Sequence, residues 1–332
     1  MGNFSGKEVL TSRVSRVQDE FLDKKFSVRE LVFVIVAALC LTPLVSPPLA
    51  LLLGLVAAQT IGHPYRHLNH KMTSTLLKAS VVGLGFGMNV QTALRAGSEG
   101  FVFTVASIAG TLLLGTLVGM LFKIEKKTSL LISSGTAICG GSAIAAIAPV
   151  IDAKEQQISV ALGVVFVLNS LALFLFPEVG TWLHMSQHQF GLWAAIAIHD
   201  TSSVVGAASR YGNEALQTAA TVKLARSLWI VPIAAITAML FRQKMSQVKL
   251  PWFIAYFVLA MIVHTWIPAI QPVSAIIVHG AKAGLTLTLF LIGTGLSRDI
   301  LKGVGWQPMV QGVLLWVVIS VASLLMIMQF VV

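Results

Sequence analysis

Gly135-Thr136-Ala137-Ile138-Cys139-Gly140-Gly141-Ser142-Ala143-Ile144-Ala145-Ala146-Ile147-Ala148-Pro149 is apolar enough for a membrane interior, yet Gly140-Gly141 followed by Ser142 interrupts it in the middle. Adjacent glycines cost about 2 kcal/mol of helix propensity, so the run predicts two half-helices, with Ser142 as N-cap of the second. Non-helical backbone at membrane depth survives only where protein or a water-filled cavity satisfies it. Residues 130–151 are therefore expected to form an interrupted helix beside a binding site. Residues 192–209 repeat the theme, with His199-Asp200-Thr201-Ser202-Ser203 at the centre of a second apolar run. Two interrupted helices, crossing or re-entrant, point to a transporter.

The rest of the chain fits that setting. Of 332 residues 56% are hydrophobic and only 11% charged, and the mean hydropathy is +0.85, which excludes an ordinary soluble protein. The formal charge of +10 sits mostly in short segments between apolar runs, with no basic face interleaved with aromatics. It therefore reads as topology and contact with anionic lipid rather than nucleic-acid binding. Cys40 and Cys139 both lie in apolar runs and form no CxxC pair, so neither a disulfide framework nor a zinc site is expected. No cofactor is expected, and a charged N-terminus argues against a cleavable signal peptide.

The fold class expected is an all-α polytopic membrane protein of about eleven segments, by the ~20-residue span rule. Residues 1–30 form a basic cytoplasmic N-terminal segment, with Leu10, Val14, Val17 and Phe21 on one stripe of a surface-lying helix. Residues 31–332 form the transmembrane domain. Its apolar runs are Leu31–Val45, Leu49–Ile61, Thr75–Met88, Phe101–Phe122, Leu130–Ile151, Ile158–Phe176, Leu192–Ser209, Thr218–Phe241, Trp252–Ile267, Val273–Gly295 and Val310–Val332. Lys123-Ile-Glu-Lys-Lys127, the basic stretch from Arg242 to Lys249, and Arg298 with Lys302 are cytoplasmic by the positive-inside rule. If both interrupted segments cross, Glu178–Gln189 is inside; if both are re-entrant it is outside, which its lack of Lys and Arg favours.

An internal repeat joins the halves at about 31–125 and 215–332. Gly85, Gly87 and Gly97 match Gly293, Gly295 and Gly305 at a constant offset (293 − 85 = 208). An odd number of spans separates the copies, so they are expected to be inverted, as in many secondary transporters.

Asp200 is the one carboxylate deep inside an apolar run, where it must be protonated, paired or bound to an ion. It is either an ion-coupling residue or a structural partner of a basic one. His199 beside it suits proton coupling. Lys223 and Arg226, at i and i+3, share a helix face and either oppose Asp200 or meet an anionic substrate. Gly140, Gly141 and Ser142, with Ser202 and Ser203, are expected to cradle an oxyanion at half-helix N-termini, with Thr136 and Asn169 as further donors. The bland alternative for each hydroxyl is a bond to its own helix. Lys282 and His279 are weaker candidates nearer a membrane face. His63, His67 and His70 read as a solvated interface loop rather than a metal site.

At these residues the chain resembles the YeiH-type family of bacterial inner-membrane proteins, over most of Leu49–Val332. Gly135-Thr-Ala-Ile-Cys-Gly-Gly-Ser-Ala143, Ile151-Asp-Ala-Lys-Glu155, Phe190-Gly-Leu-Trp193, Ile198-His-Asp200, Val222-Lys-Leu-Ala-Arg226 and Gly295-Leu-Ser-Arg298 carry the likeness. The resemblance implies an inner-membrane location, sulfate export, and distant kinship with cation/proton antiporters and bile-acid-type symporters, whose cores hold crossing, interrupted helices. Thr201-Ser202-Ser203 replace the small apolar residues and glutamine common in the family, which implies a different substrate preference. The charged N-terminal extension also differs from many members.

The leading expectation is a secondary transporter of a small anion, sulfate, a sulfonate or a carboxylate, coupled to protons or sodium through His199 and Asp200. The alternative is a cation/proton antiporter in which Asp200 holds the cation. An intramembrane enzyme is disfavoured by the lack of an HExxH motif or of a second buried acid, and a purely structural role leaves the interruptions unexplained. The partners expected are a small anion, a proton or sodium ion and lipid, with homodimerisation open and no nucleic acid.

Overall fold

The computed structural model describes residues 28–60, 66–241, 252–295 and 305–331, which form 14 α-helices and one short 3-10 turn. The N-terminal stripe, His63, the basic stretch 242–249, Arg298, Lys302 and most of the second glycine copy lie outside these residues, as do the side chains of His67 and His70. The helices are α1 (Val28–Leu39), α2 (Pro47–Thr60), α3 (Arg66–Gly85), α4 (Val90–Leu121), α5 (Lys126–Ala137), α6 (Gly141–Ile147) and α7 (Glu155–Trp182). They continue as α8 (Gln187–Ala197), α9 (Thr201–Tyr211), α10 (Asn213–Ser227), α11 (Ile230–Leu240), α12 (Trp252–Trp266), α13 (Gln271–Gly295) and α14 (Trp306–Phe330). Among the described residues five stretches are long and apolar enough to cross a membrane: Phe101–Leu121, Glu155–Trp182, Asn213–Leu240, Pro268–Gly295 and Trp306–Phe330. Large apolar side chains such as Leu113, Met120, Leu121, Leu175, Val317 and Leu325 lie exposed on the outer surface of these helices, as lipid contact requires.

Several helices outrun their apolar stretches, because polar residues form helix readily once a cap fixes the first turn. Thus α3 begins at Arg66 and α4 at Val90, where the Asn89 side chain accepts hydrogen bonds from the N–H groups of Gln91 (2.8 Å) and Thr92 (3.4 Å). The expected single run Thr218–Phe241 is instead divided at Leu228-Trp229 into α10 and α11. Ser227 Oγ donates back to Lys223 O at 2.9 Å, and Leu228 N and Trp229 N bond three residues back, to Ala225 O and Arg226 O. Such back-bonding tightens and bends a helix.

The segments around the two interruptions are hairpins. A Cβ on Gly135 would lie 2.9 Å from Ile144 Cδ1, although nine residues of continuous helix would separate these positions by roughly 13 Å. The ends of the α5–α6 segment also meet: Lys127 Nζ donates to Asp152 O at 2.6 Å, and Gln157 Nε2 donates to Glu125 Oε1. The α8–α9 segment closes in the same way. Phe190 stacks on Tyr211 with ring centroids 3.8 Å apart, Tyr211 Oη donates to Met185 O (2.6 Å), and Glu214 N donates to Gln187 Oε1 (3.0 Å). A reciprocal capping box of Ser186 and Gln189 starts α8.

The helices pack as two groups. The larger comprises both hairpins with α4, α7, α10, α11 and α14; the smaller comprises α2, α3, α12 and α13, with α1 attached through Phe33 against Phe290 (centroids 5.2 Å apart). Within the smaller group α3 and α13 run antiparallel, Ser80 facing Gly284 and Gly83 facing Ala281. Helices α2 and α13 approach so closely that a Cβ on Gly54 would collide with Phe290 O and sit 3.0 Å from Gly293 Cα. Between the groups, α9 supplies much of the contact: Gly206 lies against Leu289 of α13 and Pro47 of α2.

Candidate functional site: the hairpin tips

The two hairpin tips, residues 138–140 and 198–200, touch each other. A Cβ on Gly140 would lie 3.3 Å from both Cα and Cβ of Asp200. Gly140 adopts φ 64°, ψ −127°, a conformation open to glycine and hardly to any residue with a side chain. It is the N-cap residue of α6 and offers no side chain to cap it. The expectation for Ser142 is thereby corrected. The turn requires a positive φ, glycine takes the capping position, and Ser142 falls inside the first turn on an exposed face. Gly141 starts the helix, half-buried against Leu162 and Phe166.

The second tip is held by side chains. Asp200 is the N-cap of α9; its Oδ2 accepts from Ser202 N at 3.0 Å and from Ser202 Oγ. Asn169, from the middle of α7, accepts from His199 N (3.0 Å) and Asp200 N (3.2 Å) through Oδ1, so it fixes the tip's backbone while its Nδ2 has no partner among the described residues. Ser203 is buried beside them. The His199 ring is fully buried and neither of its nitrogens has a partner among the described residues, nor does the fully buried hydroxyl of Thr136. A direct bond between His199 and Asp200 is thus not part of the arrangement.

Lys223 and Arg226 reach both tips from α10. Their depth follows from a helix that begins at Asn213, and both are completely buried. Neither forms an ion pair with Asp200. Lys223 Nζ donates to Ile198 O (2.6 Å) and Ala195 O (3.2 Å) at the end of α8. Arg226 bridges the hairpins: Nε (2.8 Å) and Nη2 (2.5 Å) donate to Ala137 O of α5, and Nη1 donates to Ile196 O of α8 (3.0 Å). The carbonyl end of a helix carries roughly half a negative charge, so two cations against two such ends are well placed electrostatically. The donors not used on carbonyls, the Asn169 amide, the His199 ring and the Thr136 hydroxyl together surround the junction.

Sequence reasoning missed Cys139, which lies at the first tip against Ser227 and the Ala143 N–H, in the field of Lys223. Its signal was the alignment of the two tips: Cys139 falls opposite His199 when Ala137-Ile138 is set on Ala197-Ile198 (197 − 137 = 60). The carbonyls of Ala137, Ala195, Ile196 and Ile198 have no side-chain signature and leave no mark in the sequence. Lys282 and His279 belong elsewhere, to a cavity at the start of α10 that does not reach the tips.

Residues 30–312 match the family described as Conserved hypothetical protein 698. A UPF0324 membrane protein of Bacteroides thetaiotaomicron is 56% identical over 282 residues, covering 84% of this chain and 86% of the relative. UPF0324 membrane proteins of Bdellovibrio bacteriovorus (49% over 306 residues, 90% and 94% covered) and Shewanella oneidensis (49% over 300 residues, 90% and 95% covered) are also similar. No solved structure matches the chain.

Proposed function

The chain belongs to the UPF0324 membrane protein family, the YeiH-type proteins, and on that premise we propose that this multi-pass bacterial membrane protein is a secondary transporter of a small anion. The carrying observation is the make-up of the hairpin junction: two fully buried basic side chains, Lys223 and Arg226, against the single carboxylate of Asp200, none of them ion-paired with another. A buried excess positive charge calls for an anion, because an unpaired ion in a low-dielectric interior is costly. Sulfate, a sulfonate or a carboxylate satisfies it, with Asp200 and His199 taking the coupling proton or sodium ion. The reading assigns no enzymatic step and no cofactor.

The hairpins support alternating access. At 1.5 Å per residue the 12 residues of α5 and the 11 of α8 reach roughly 16–18 Å, about half of a 30 Å hydrocarbon core, so their tips belong near the midplane. Helix α7 lies between them in sequence and is long enough to cross, so the hairpins enter from opposite faces. Each hairpin precedes one long helical stretch, at an offset of 60 for the tips (197 − 137 = 60) and 58 for the following helices (213 − 155 = 58). Inverted repeats with a midplane site are a transporter architecture. With Lys123, Lys126, Lys127 and Lys154 at one base, that face is cytoplasmic, the second hairpin opens outward and the N-terminus lies inside.

The test is counterflow of labelled sulfate and small sulfonates in proteoliposomes, with and without a pH or sodium gradient. Arg226→Gln, assayed on protein that elutes folded, is expected to weaken anion binding at least tenfold, whereas Asp200→Asn keeps binding and loses gradient dependence. Sodium or proton exchange with no anion moved, and abolished by Asp200→Asn, would replace this reading with the cation antiporter.

A further inference from the structure

A cavity of about 500 Å³ lies between the two helix groups at the start of α10, lined by the ends of α3 and α12, the first half of α13, and Asn213, Leu216 and Gln217 of α10. Its polar wall is cationic in character. Lys282 Nζ gives one hydrogen to Asn213 Oδ1 at 3.0 Å and keeps two. Ser274 Oγ donates to Ile270 O and meets His264 Nδ1 at 3.0 Å, so His264 Nδ1 donates there and the neutral ring's Nε2 is an acceptor. His279 lines the cavity as well, and no Asp or Glu does among the described residues. The lining also holds apolar side chains, Phe86, Met88 and Leu216 among them.

We propose that this cavity is a second binding site, separate from the hairpin junction, for a soluble organic anion: a carboxylate or sulfonate head on an apolar body. The head pairs with Lys282 beside His279, and the body lies against Phe86, Met88 and Leu216. Size decides against an inorganic oxyanion, which would leave most of the space empty; cavities of roughly 300–1,000 Å³ suit organic ligands of many atoms. The site does not depend on the transport reading, since binding alone defines it. An anionic lipid headgroup shares the chemistry of the head, and the experiment separates it from a soluble ligand.

The full chain, in nanodiscs of phosphatidylcholine or of phosphatidylglycerol, is titrated calorimetrically with 2-naphthalenesulfonate and with sulfate. The naphthalenesulfonate is expected to bind at least tenfold more tightly than sulfate, with equal affinity in the two lipids. Lys282→Met is expected to weaken it at least tenfold and Lys282→Arg to restore it. His279→Gln, at an exposed position that tolerates change, is expected to weaken it severalfold should Lys282→Met not fold. Equal affinity for the two anions, insensitivity to Lys282 and His279, or competition by phosphatidylglycerol would each overturn the proposal.

Discussion

Among the described residues Arg226 is the one side chain that bonds both hairpins, and its loss leaves Ala137 O and Ile196 O unsatisfied in the interior. Each unpaired buried polar group costs about 1–3 kcal/mol. Arg226→Gln is therefore expected to lower the thermal unfolding temperature in detergent clearly. Arg226→Lys should recover only part of the loss, because one ammonium lacks the planar fork that spans two acceptors. Unfolding at the parent temperature for both variants would show that the tips do not need this tie. Gly140→Ala should also destabilise, by about 1–3 kcal/mol, since its backbone conformation excludes a side chain and the new Cβ meets Asp200; an unchanged melting curve would contradict the described turn. At this scale the residue types were legible. The glycine pair marked the break, and the i, i+3 spacing put Lys223 and Arg226 on one face. What the cations touch was not legible, because their partners are backbone carbonyls, which every residue carries.

Each interrupted segment is long enough to read either as one crossing helix or as two shorter arms, so propensity and length alone left the two topologies open. The deciding contacts join residues far apart within one segment, Gly135 with Ile144, Lys127 with Asp152, Phe190 with Tyr211, and local sequence rules do not see such pairs. The missing Lys and Arg in Glu178–Gln189 was the one sequence feature that leaned towards hairpins. The geometry makes a labelling prediction. With Cys40 and Cys139 replaced by alanine, single cysteines at the exposed positions Lys126 and Lys154 are expected to react with an impermeant maleimide from one side of sealed vesicles. Cysteines at His184 and Glu214, also exposed, are expected to react from the other side. Labelling of positions 126 and 154 from opposite sides would mean that the first segment crosses the membrane.

At the scale of the whole molecule, the two helix groups suggest which parts move. The hairpins are tied to each other through Arg226 and to α7 through Asn169, whereas their contact with the four-helix group is narrower and runs largely along α9. The four-helix group has its own tight joints, with Gly54 and Gly293 packed backbone to backbone and α3 antiparallel to α13. This division was not legible in the sequence, since the smaller group assembles α2 and α3 with α12 and α13 from opposite ends of the chain. On the proposed transport reading, alternating access requires α9 to slide against α13, and Gly206 beside Leu289 is the place to arrest it. In the background lacking native cysteines, Gly206→Cys with Leu289→Cys places two thiols within reach of a mercuric bridge; the shorter side chain at 289 makes room on one side of the new one at 206, and the flexible end of Leu173, 2.8 Å from the new Cβ, shifts on the other. Bridging is expected to reduce sulfate counterflow at least tenfold, reversibly on adding a thiol, while each single variant keeps transporting. Anion binding by the bridged protein should persist, because the bridge touches neither Lys223 nor Arg226. If bridged protein transports at the unbridged rate, the two groups do not move along α9, and access to the hairpin junction must open within the larger group itself.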